Sequence, residues 1–490
     1  MSKTFYDIFR ELNSIPRPSH HEEKIADYLC RFAERHELRY RRDARNCVVI
    51  EKDATPGFEE SEPIVILNHM DMVCAVRNDY LRDGRKFNPL TDGIRSYIEE
   101  ENIEDGSIVR WMKAEGTSLG ADNGIGLSMA LAVLSDDSIV HGPLEVLTTT
   151  NEEDGMSGAE ALSSDFIKGR RIINLDSEAY EEITVGAAGA YLQTGIWKKN
   201  VLNTPGRLSY RKITLDGGLG GHSGVDINKG RCNCIKELAG ILNRMDGFGL
   251  YICSMDGGSA NASIAAAAEV VVAFEEQYAL QLEKALEKER LRLMDRYSDT
   301  DPALHLGSEI TGPMSQHLAN ARDILNCIDR LPCGVIEMRS DMEGVVMTSN
   351  NIGVLQTGDT HISLSCHTRS FDDRTMETVG KSITDTFRGA GADDTKLIMN
   401  TGAWMERSDS PLLKLTCDTF RDVLGFEPRK VAMHFVLEAA YYVQKYPGAE
   451  IASIGPLIIE PHSPSERVNL NTADNIWKVT VELLKRLAEK

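Results

Sequence analysis

A chain of 490 residues is too long for one ordinary hydrophobic core, so two domains are expected. Its 42 % hydrophobic and 26 % charged residues exclude collagen-like, disordered and membrane-spanning classes, and no apolar run reaches the roughly 20 residues that a spanning helix needs. With 54 Lys and Arg against 75 Asp and Glu, the net charge of −21 argues against a nucleic-acid partner, which would require clustered cations.

The N-terminal stretch MSKTFYDIF shows no apolar signal region, so a cytoplasmic location is expected. The ten cysteines are scattered. The close pair Cys232 and Cys234 has no matching second pair, so reduced thiols are expected in place of a cysteine zinc site.

The first region has α/β texture. Ser19-His-His-Glu22 reads as a capping box, followed by Ile25, Tyr28, Leu29 and Phe32 at helical spacing. Val48 to Ile50 and Ile64 to Leu67 read as buried strands. A polar excursion from about Arg77 to Arg110 contains the acidic run Glu99 to Glu101, read as a solvated loop or hairpin. Gly120-Ala-Asp-Asn-Gly-Ile-Gly126 leads into an apolar helix around Leu127 to Leu134, and Leu144 to Thr149 and Ile172 to Leu175 are further strands. Strands alternating with helices predict a mostly parallel sheet covered on both faces.

From about Gly189 the texture changes. Arg211 to Leu215, Glu269 to Phe274 and His361 to Ser365 read as antiparallel strands, and Glu275 to Tyr297 as a long charged amphipathic helix. Near Leu397 the chain returns to α/β texture, with Ser410 to Leu424 helical and Ile451 to Ile459 extended. An α+β domain spanning 189–396, inserted between two halves of an α/β domain (1–188 and 397–490), accounts for this pattern.

Ionisable residues gather where the first region's strands end. Ile64 to Leu67 runs into His69 and Asp71, Leu144 to Thr148 runs out into Glu152 and Glu153, and Arg171 to Leu175 ends at Asp176. Asp122 lies in the Gly-rich turn. Ligands of open parallel sheets bind outside the carboxyl ends of the strands, so these groups can converge. Taken singly each is weak: a histidine before a loop is commonly structural, a Glu-Glu pair is commonly exposed charge, and an Asp in such a turn commonly serves the turn. Imidazoles with carboxylates suit zinc, manganese or cobalt better than magnesium or calcium. The surplus of carboxylates suggests two ions sharing one, about 3.5–4 Å apart in such sites.

The motifs His69-Met-Asp71, Gly120 to Gly126, Asn151-Glu-Glu-Asp-Gly-Met156, Asn174-Leu-Asp-Ser177, Gly221-His-Ser-Gly224 and Pro461-His-Ser-Pro464 occur in that order. The chain thereby resembles the aminoacyl-histidine (Xaa-His) dipeptidase family of di-zinc metallopeptidases, from about Ser14 to the C-terminal helix. The resemblance implies a di-zinc peptidase domain interrupted by a lid and dimerisation domain, hence a homodimer. It implies metal-dependent hydrolysis of unblocked dipeptides, Xaa-His in type, through a metal-activated water.

Two divalent ions are implied, zinc first with manganese or cobalt as alternatives. His69 and Asp176 would hold one, Glu153 and His462 the other, and Asp122 would bridge them. Glu152 is implied as general base, and Asp71 as the residue that orients His69. His222 would stabilise the oxyanion, reaching across a dimer in relatives, and Arg369 would grip the substrate carboxylate. Asn261 and Glu438 fall in segments that serve substrate recognition in relatives.

Two stretches depart from that pattern. In Gly257 to Ala268 the Pro and Arg of the family's Asn-Ala-Ile-Pro-Arg-like segment are missing and Asn261 comes one place early. In Met433-His-Phe-Val-Leu-Glu-Ala439, Phe435 and Val436 replace small residues. Both put substrate preference in question, so an N-acyl amino acid deacylase, a tripeptidase and a non-catalytic peptide-binding relative stay open as alternatives.

Overall fold

The structure is a computed structural model describing residues 3–79, 86–103 and 106–489. The chain divides into two compact units. Unit 1 comprises Met1–Gly186, Met405–Ala432 and Glu438–Lys490; unit 2 comprises Ala187–Trp404 and Met433–Leu437. The chain re-enters unit 1 at Met405, not near Leu397, because the strand Asp394–Thr401 stays hydrogen-bonded to Gly189–Lys198 in the sheet of unit 2.

At the centre of unit 1 the strand Ile64–His69 pairs in parallel with Leu144–Thr149 on one side and Arg171–Asn174 on the other, and Glu450–Ser453 continues the parallel set. Every residue of Ile64–His69 and Leu144–Thr149 is buried. Central strands of a parallel sheet are buried on both faces, which accounts for this. Outward from Leu144–Thr149, Val48–Lys52 and Arg39–Arg42 are antiparallel, so the sheet is parallel at its centre and antiparallel at this edge. The helices Phe5–Asn13, Glu23–Arg35, Ala121–Ser135, Pro411–Leu424 and Leu470–Ala488 share one core with it, through Phe9, Leu29, Leu131, Phe420 and Leu483 among others.

The capping box expected at Ser19 to Glu22 does not form. Glu22 itself is the N-cap of Glu23–Arg35 and makes no side-chain cap bond. Ser19 Oγ donates instead to Asp71 Oδ2 at 2.8 Å, and Glu22 Oε1 accepts the Asn151 N–H at 2.9 Å. Tertiary partners thus claim both residues of the motif. A capping box does form at Thr4 and Asp7 of the first helix. The acidic run lies on the hairpin Ser96–Asn102/Ile108–Ala114, where Glu99 pairs with Lys113 and Glu101 accepts the Trp111 indole N–H at 2.9 Å. The parts of that excursion at 80–85 and 104–105 lie outside the described residues.

Unit 2 is built on an antiparallel sheet. Val346–Thr357 and His361–Ser370 form its central hairpin, Gly189–Lys198 lies beside His361–Ser370, and Ser209–Asp216, Tyr251–Gly257 and Ala268–Phe274 extend the sheet on the other side. The helices Cys234–Arg244, Ala279–Tyr297, Ala321–Arg330 and Asp373–Gly389 share its core through Leu238, Leu286, Ile324 and Ile383. Cys232 and Cys234 are buried within that core as free thiols. No described helix is long and apolar enough to cross a membrane.

The apolar helix Ala121–Ser135 lies hard against the end of the strand Arg171–Asn174. A Cβ at Gly126 would stand 2.1 Å from the Leu175 carbonyl oxygen, a backbone atom that cannot step aside. Gly126→Ala is therefore expected to destabilise unit 1 by about 1–3 kcal/mol. The midpoint of urea unfolding reads this, and an unchanged midpoint contradicts the close approach.

Candidate metal centre

Five side chains converge beyond the carboxyl ends of the parallel strands of unit 1. His69 closes its strand, Glu153 and Asp176 follow theirs, Asp122 sits in the first turn of Ala121–Ser135, and His462 follows the short strand Ile458–Ile459. His69 Nε2 lies 3.0 Å from Asp122 Oδ1 and 3.3 Å from Asp176 Oδ1. His462 Nε2 lies 3.1 Å from Asp122 Oδ2 and 2.8 Å from Glu153 Oε2. Asp122 thus offers one oxygen to each histidine. Two overlapping donor groups result, His69 with Asp122 and Glu153, and His462 with Asp122 and a further carboxylate, Glu178.

The surrounding shell holds these groups in place. His69 Nδ1 faces the Asp71 carbonyl at 3.1 Å, which leaves Nε2 for the cluster when Nδ1 carries the proton. Asp71 is fully buried, and its carboxylate accepts the N–H groups of Glu152 at 3.1 Å and Glu153 at 3.2 Å. One buried aspartate therefore aligns both the histidine and the two-glutamate turn. Asn123 Nδ2 donates to the Leu175 carbonyl at 2.8 Å and to Asp176.

Two anchors were not singled out from the sequence. Glu466 is 2 % exposed, and its carboxylate accepts the N–H groups of Leu119 (2.7 Å), Gly120 (2.8 Å), Ala121 (2.7 Å) and Asp122 (3.3 Å). These are N–H groups that a helix start leaves without partners, and a negative charge is favourable there. Arg17, 1 % exposed, donates to the carbonyls of Met70 (3.2 Å), Asp71 (3.0 Å) and Gly120 (2.6 Å), which ties the His69 loop to the Asp122 loop. The only signal for Glu466 was its place four residues after His462; nothing in the local pattern marked Arg17.

The electrostatics show what the cluster lacks. Burial raises Glu152 well above the usual carboxylate range, and the charges of Asp176, Glu438 and Glu153 add to it while His69 opposes. Burial likewise pushes up Asp176 and Glu153. Glu178 rises to about 8 through burial and the charges of Asp122 and Asp176. His462 is pulled up to about 11 by its hydrogen bonds to Asp122 and Glu153. Burial opposes charge on His69, yet Asp176, Asp122 and Asp71 carry it well above its usual value. Glu153 Oε1 is buried with no hydrogen-bond partner among the described residues. Such a site is short of positive charge, and imidazole nitrogens with carboxylate oxygens fit divalent transition-metal ions.

Of the other predicted residues, Glu438 also belongs to unit 1. Its Oε2 accepts Thr149 Oγ1–H at 2.9 Å and Tyr442 O–H at 3.3 Å, and its other oxygen is buried without a partner among the described residues. His222, Asn261 and Arg369 belong to unit 2. His222 Nδ1 accepts the N–H groups of Gly224 (3.2 Å) and Val225 (3.3 Å), so its proton resides on Nε2 as a free donor. Phe435, one of the departures, packs edge-on against that ring at 5.9 Å. Arg369 is 4 % exposed, touches Ser223 Oγ at 3.4 Å and has no carboxylate partner among the described residues. Burial lowers its pKa to about 10. Asn261 lies in the turn whose carbonyl accepts Asn351 Nδ2–H at 3.3 Å.

With this geometry in hand, the comparison with known proteins is direct. The model of peptidase family M20/M25/M40 matches residues 65–490. The chain belongs to that family. It is 34 % identical to the cytosol non-specific dipeptidase of Escherichia coli (strain K12), over 99 % of this chain and 98 % of the relative. The crystal structure of aminoacylhistidine dipeptidase from Vibrio alginolyticus superposes with a TM-score of 0.86 at 32 % identity, covering 98 % of this chain and 96 % of that one. A tripeptidase from Staphylococcus aureus shares the fold, with a TM-score of 0.59 at 15 % identity over 100 % of this chain and 99 % of that one. Family M20/M25/M40 is thus the frame in which the cluster on the His69 and Asp122 loops is to be understood.

Glu466→Gln tests how those loops are held. An amide keeps one accepting oxygen and turns its other end into a donor, so two of the four N–H groups lose their partner, at about 1–3 kcal/mol each. The expected result is a fall in the midpoint of thermal unfolding together with weaker metal retention on dialysis. Wild-type values for both contradict the assignment of Glu466 as the clamp.

Proposed function

We propose that this protein is a metal-dependent dipeptidase that hydrolyses unblocked dipeptides. The observation that carries the reading is the pair of His–carboxylate groups sharing Asp122, with Glu152 beside them and free of side-chain hydrogen bonds among the described residues. Two relatives that align over nearly the whole chain support it, a cytosol non-specific dipeptidase and an aminoacylhistidine dipeptidase. Xaa-His dipeptides are accordingly the first substrates to test.

In this reading His69 and Asp176 would hold one ion, and His462 and Glu153 the other, with Asp122 as the donor shared between them. Zinc suits the donor set, with manganese and cobalt next. The ions, when bound, supply a water of lowered pKa and polarise the scissile carbonyl. Glu152 takes a proton from the attacking water onto its carboxylate and passes it to the leaving amine nitrogen. Its burial among carboxylates favours the protonated form between those two transfers. Asp71 keeps the Glu152 and Glu153 backbone in register with His69. His222 Nε2–H is suited to a developing oxyanion. Arg369, a buried guanidinium with no anion among the described residues, is suited to the free carboxylate of the dipeptide, with Asn261 and Glu438 as further recognition residues.

Unit 2 is proposed as the lid and dimerisation domain of a homodimer. A cytoplasmic location is proposed with it, supported by the name of the Escherichia coli relative, a cytosol dipeptidase.

Chelator dialysis is expected to abolish dipeptide hydrolysis, and zinc, manganese or cobalt to restore it. Glu152→Ala is expected to keep its metal while losing about two to four decades in kcat. A loaded Glu152→Ala protein with wild-type turnover contradicts the general-base role. Preferential cleavage of N-acetylated over free dipeptides favours the deacylase reading instead.

A further inference from the structure

One carboxylate at the centre of unit 1 has no task in that mechanism. Glu178 follows Asp176 by two positions and is half-buried. One of its oxygens lies within 4.8 Å of an Asp122 oxygen and a His462 ring nitrogen. Its carbonyl accepts the Ile458 N–H at 2.9 Å, which fixes the backbone and leaves the side chain at the edge of the cluster. No lysine or arginine pairs with it among the described residues, and the neighbouring His462 already faces Asp122 and Glu153.

A carboxylate so placed calls for a cation, and two sources exist. One is a metal ion. The proposed five-donor set already gives each ion a histidine, a carboxylate and a share of Asp122. Catalytic sites keep positions open for water and substrate, and a sixth protein donor would close one. The other source is the substrate. In an unblocked dipeptide the α-ammonium lies two covalent bonds, about 2.5 Å, from the carbonyl carbon under attack. A carbonyl brought to the Asp122 and His462 edge carries that ammonium within reach of Glu178.

We propose that Glu178 is the receptor for the free α-ammonium group of the substrate, and so selects unblocked dipeptides over N-acyl ones. An N-acyl group removes the positive charge that would pair with Glu178 and puts added bulk where the ammonium would stand. The proposal rests on the dipeptidase reading above.

The test uses the metal-loaded full-length protein and an uncleavable phosphinic dipeptide analogue with its amine either free or acetylated. Calorimetry gives both affinities, and plasma mass spectrometry gives metal per chain. Wild type is expected to prefer the free amine. Glu178→Gln is expected to lose about 10- to 100-fold in affinity for the free-amine analogue, with the acetylated analogue and the metal content unchanged. Glu178→Asp, which keeps the charge on a shorter arm, is expected to lose less, and it carries the test if the Gln variant does not fold. An unchanged preference in the variants overturns the proposal. Loss of one ion per chain with both analogues weakened alike also overturns it, making Glu178 a metal donor. Failure of wild type to bind either analogue or to cleave any dipeptide overturns the dipeptidase reading itself.

Discussion

The carboxylate of Glu466 gathers four successive backbone N–H groups, from Leu119 to Asp122, and that single contact fixes where the shared aspartate can stand. Asp122 lies in a first turn with non-helical dihedrals, and Gly120 just before it has a φ of 67°. Such a turn needs external partners, because the helix supplies none for its first N–H groups. Arg17 braces the same loop from the other side through the Gly120 carbonyl, and it reaches the Met70 and Asp71 carbonyls with its other nitrogen. A Cβ at Gly120 would stand 2.5 Å from that guanidinium, so the glycine is required twice, for its dihedral and for the approach of Arg17. Two buried charges thus position the loops that present His69 and Asp122.

The two units carry opposite electrostatic deficits. In unit 1, carboxylates crowd together, their protons held by burial and mutual repulsion, and Glu153 keeps an oxygen with no partner. In unit 2, the buried guanidinium of Arg369 has no anion among the described residues, and His222, its pKa lowered by burial, accepts two backbone N–H groups at Nδ1. A buried charge left unpaired is costly, so each deficit marks a group expected from outside the chain. The proposed divalent ions would answer the first, and the proposed substrate carboxylate the second.

Much of this was legible in the sequence wherever chemistry is local to a strand end. Val48 to Ile50 and Ile64 to Leu67 announced themselves as apolar runs and Leu144 to Thr149 as a strand. The ionisable residues that follow Ile64 to Leu67 and Leu144 to Thr149 converge because parallel strands end on one side. The acidic run's place on the pair Ser96–Asn102 and Ile108–Ala114 was legible for similar reasons. What failed was whatever depends on a distant partner. Ser19 and Glu22 have the spacing of a capping box, but Asp71 and the Asn151 N–H claim them. The strand Asp394–Thr401 reads as a return to the first domain until its pairing with Gly189–Lys198 is seen. Glu466, Arg17 and Glu178 act through contacts with residues far along the chain or through packing, for which local periodicity carries no signal.

The central claim is that Asp122 joins two ions between His69 and His462. Anomalous diffraction from crystals of the zinc-loaded protein addresses it most directly. The account predicts two peaks per chain about 3.5–4 Å apart, one beside His69 and Asp176, the other beside His462 and Glu153, with an Asp122 oxygen on each. A single peak, or two peaks with Asp122 bound to only one, would contradict it.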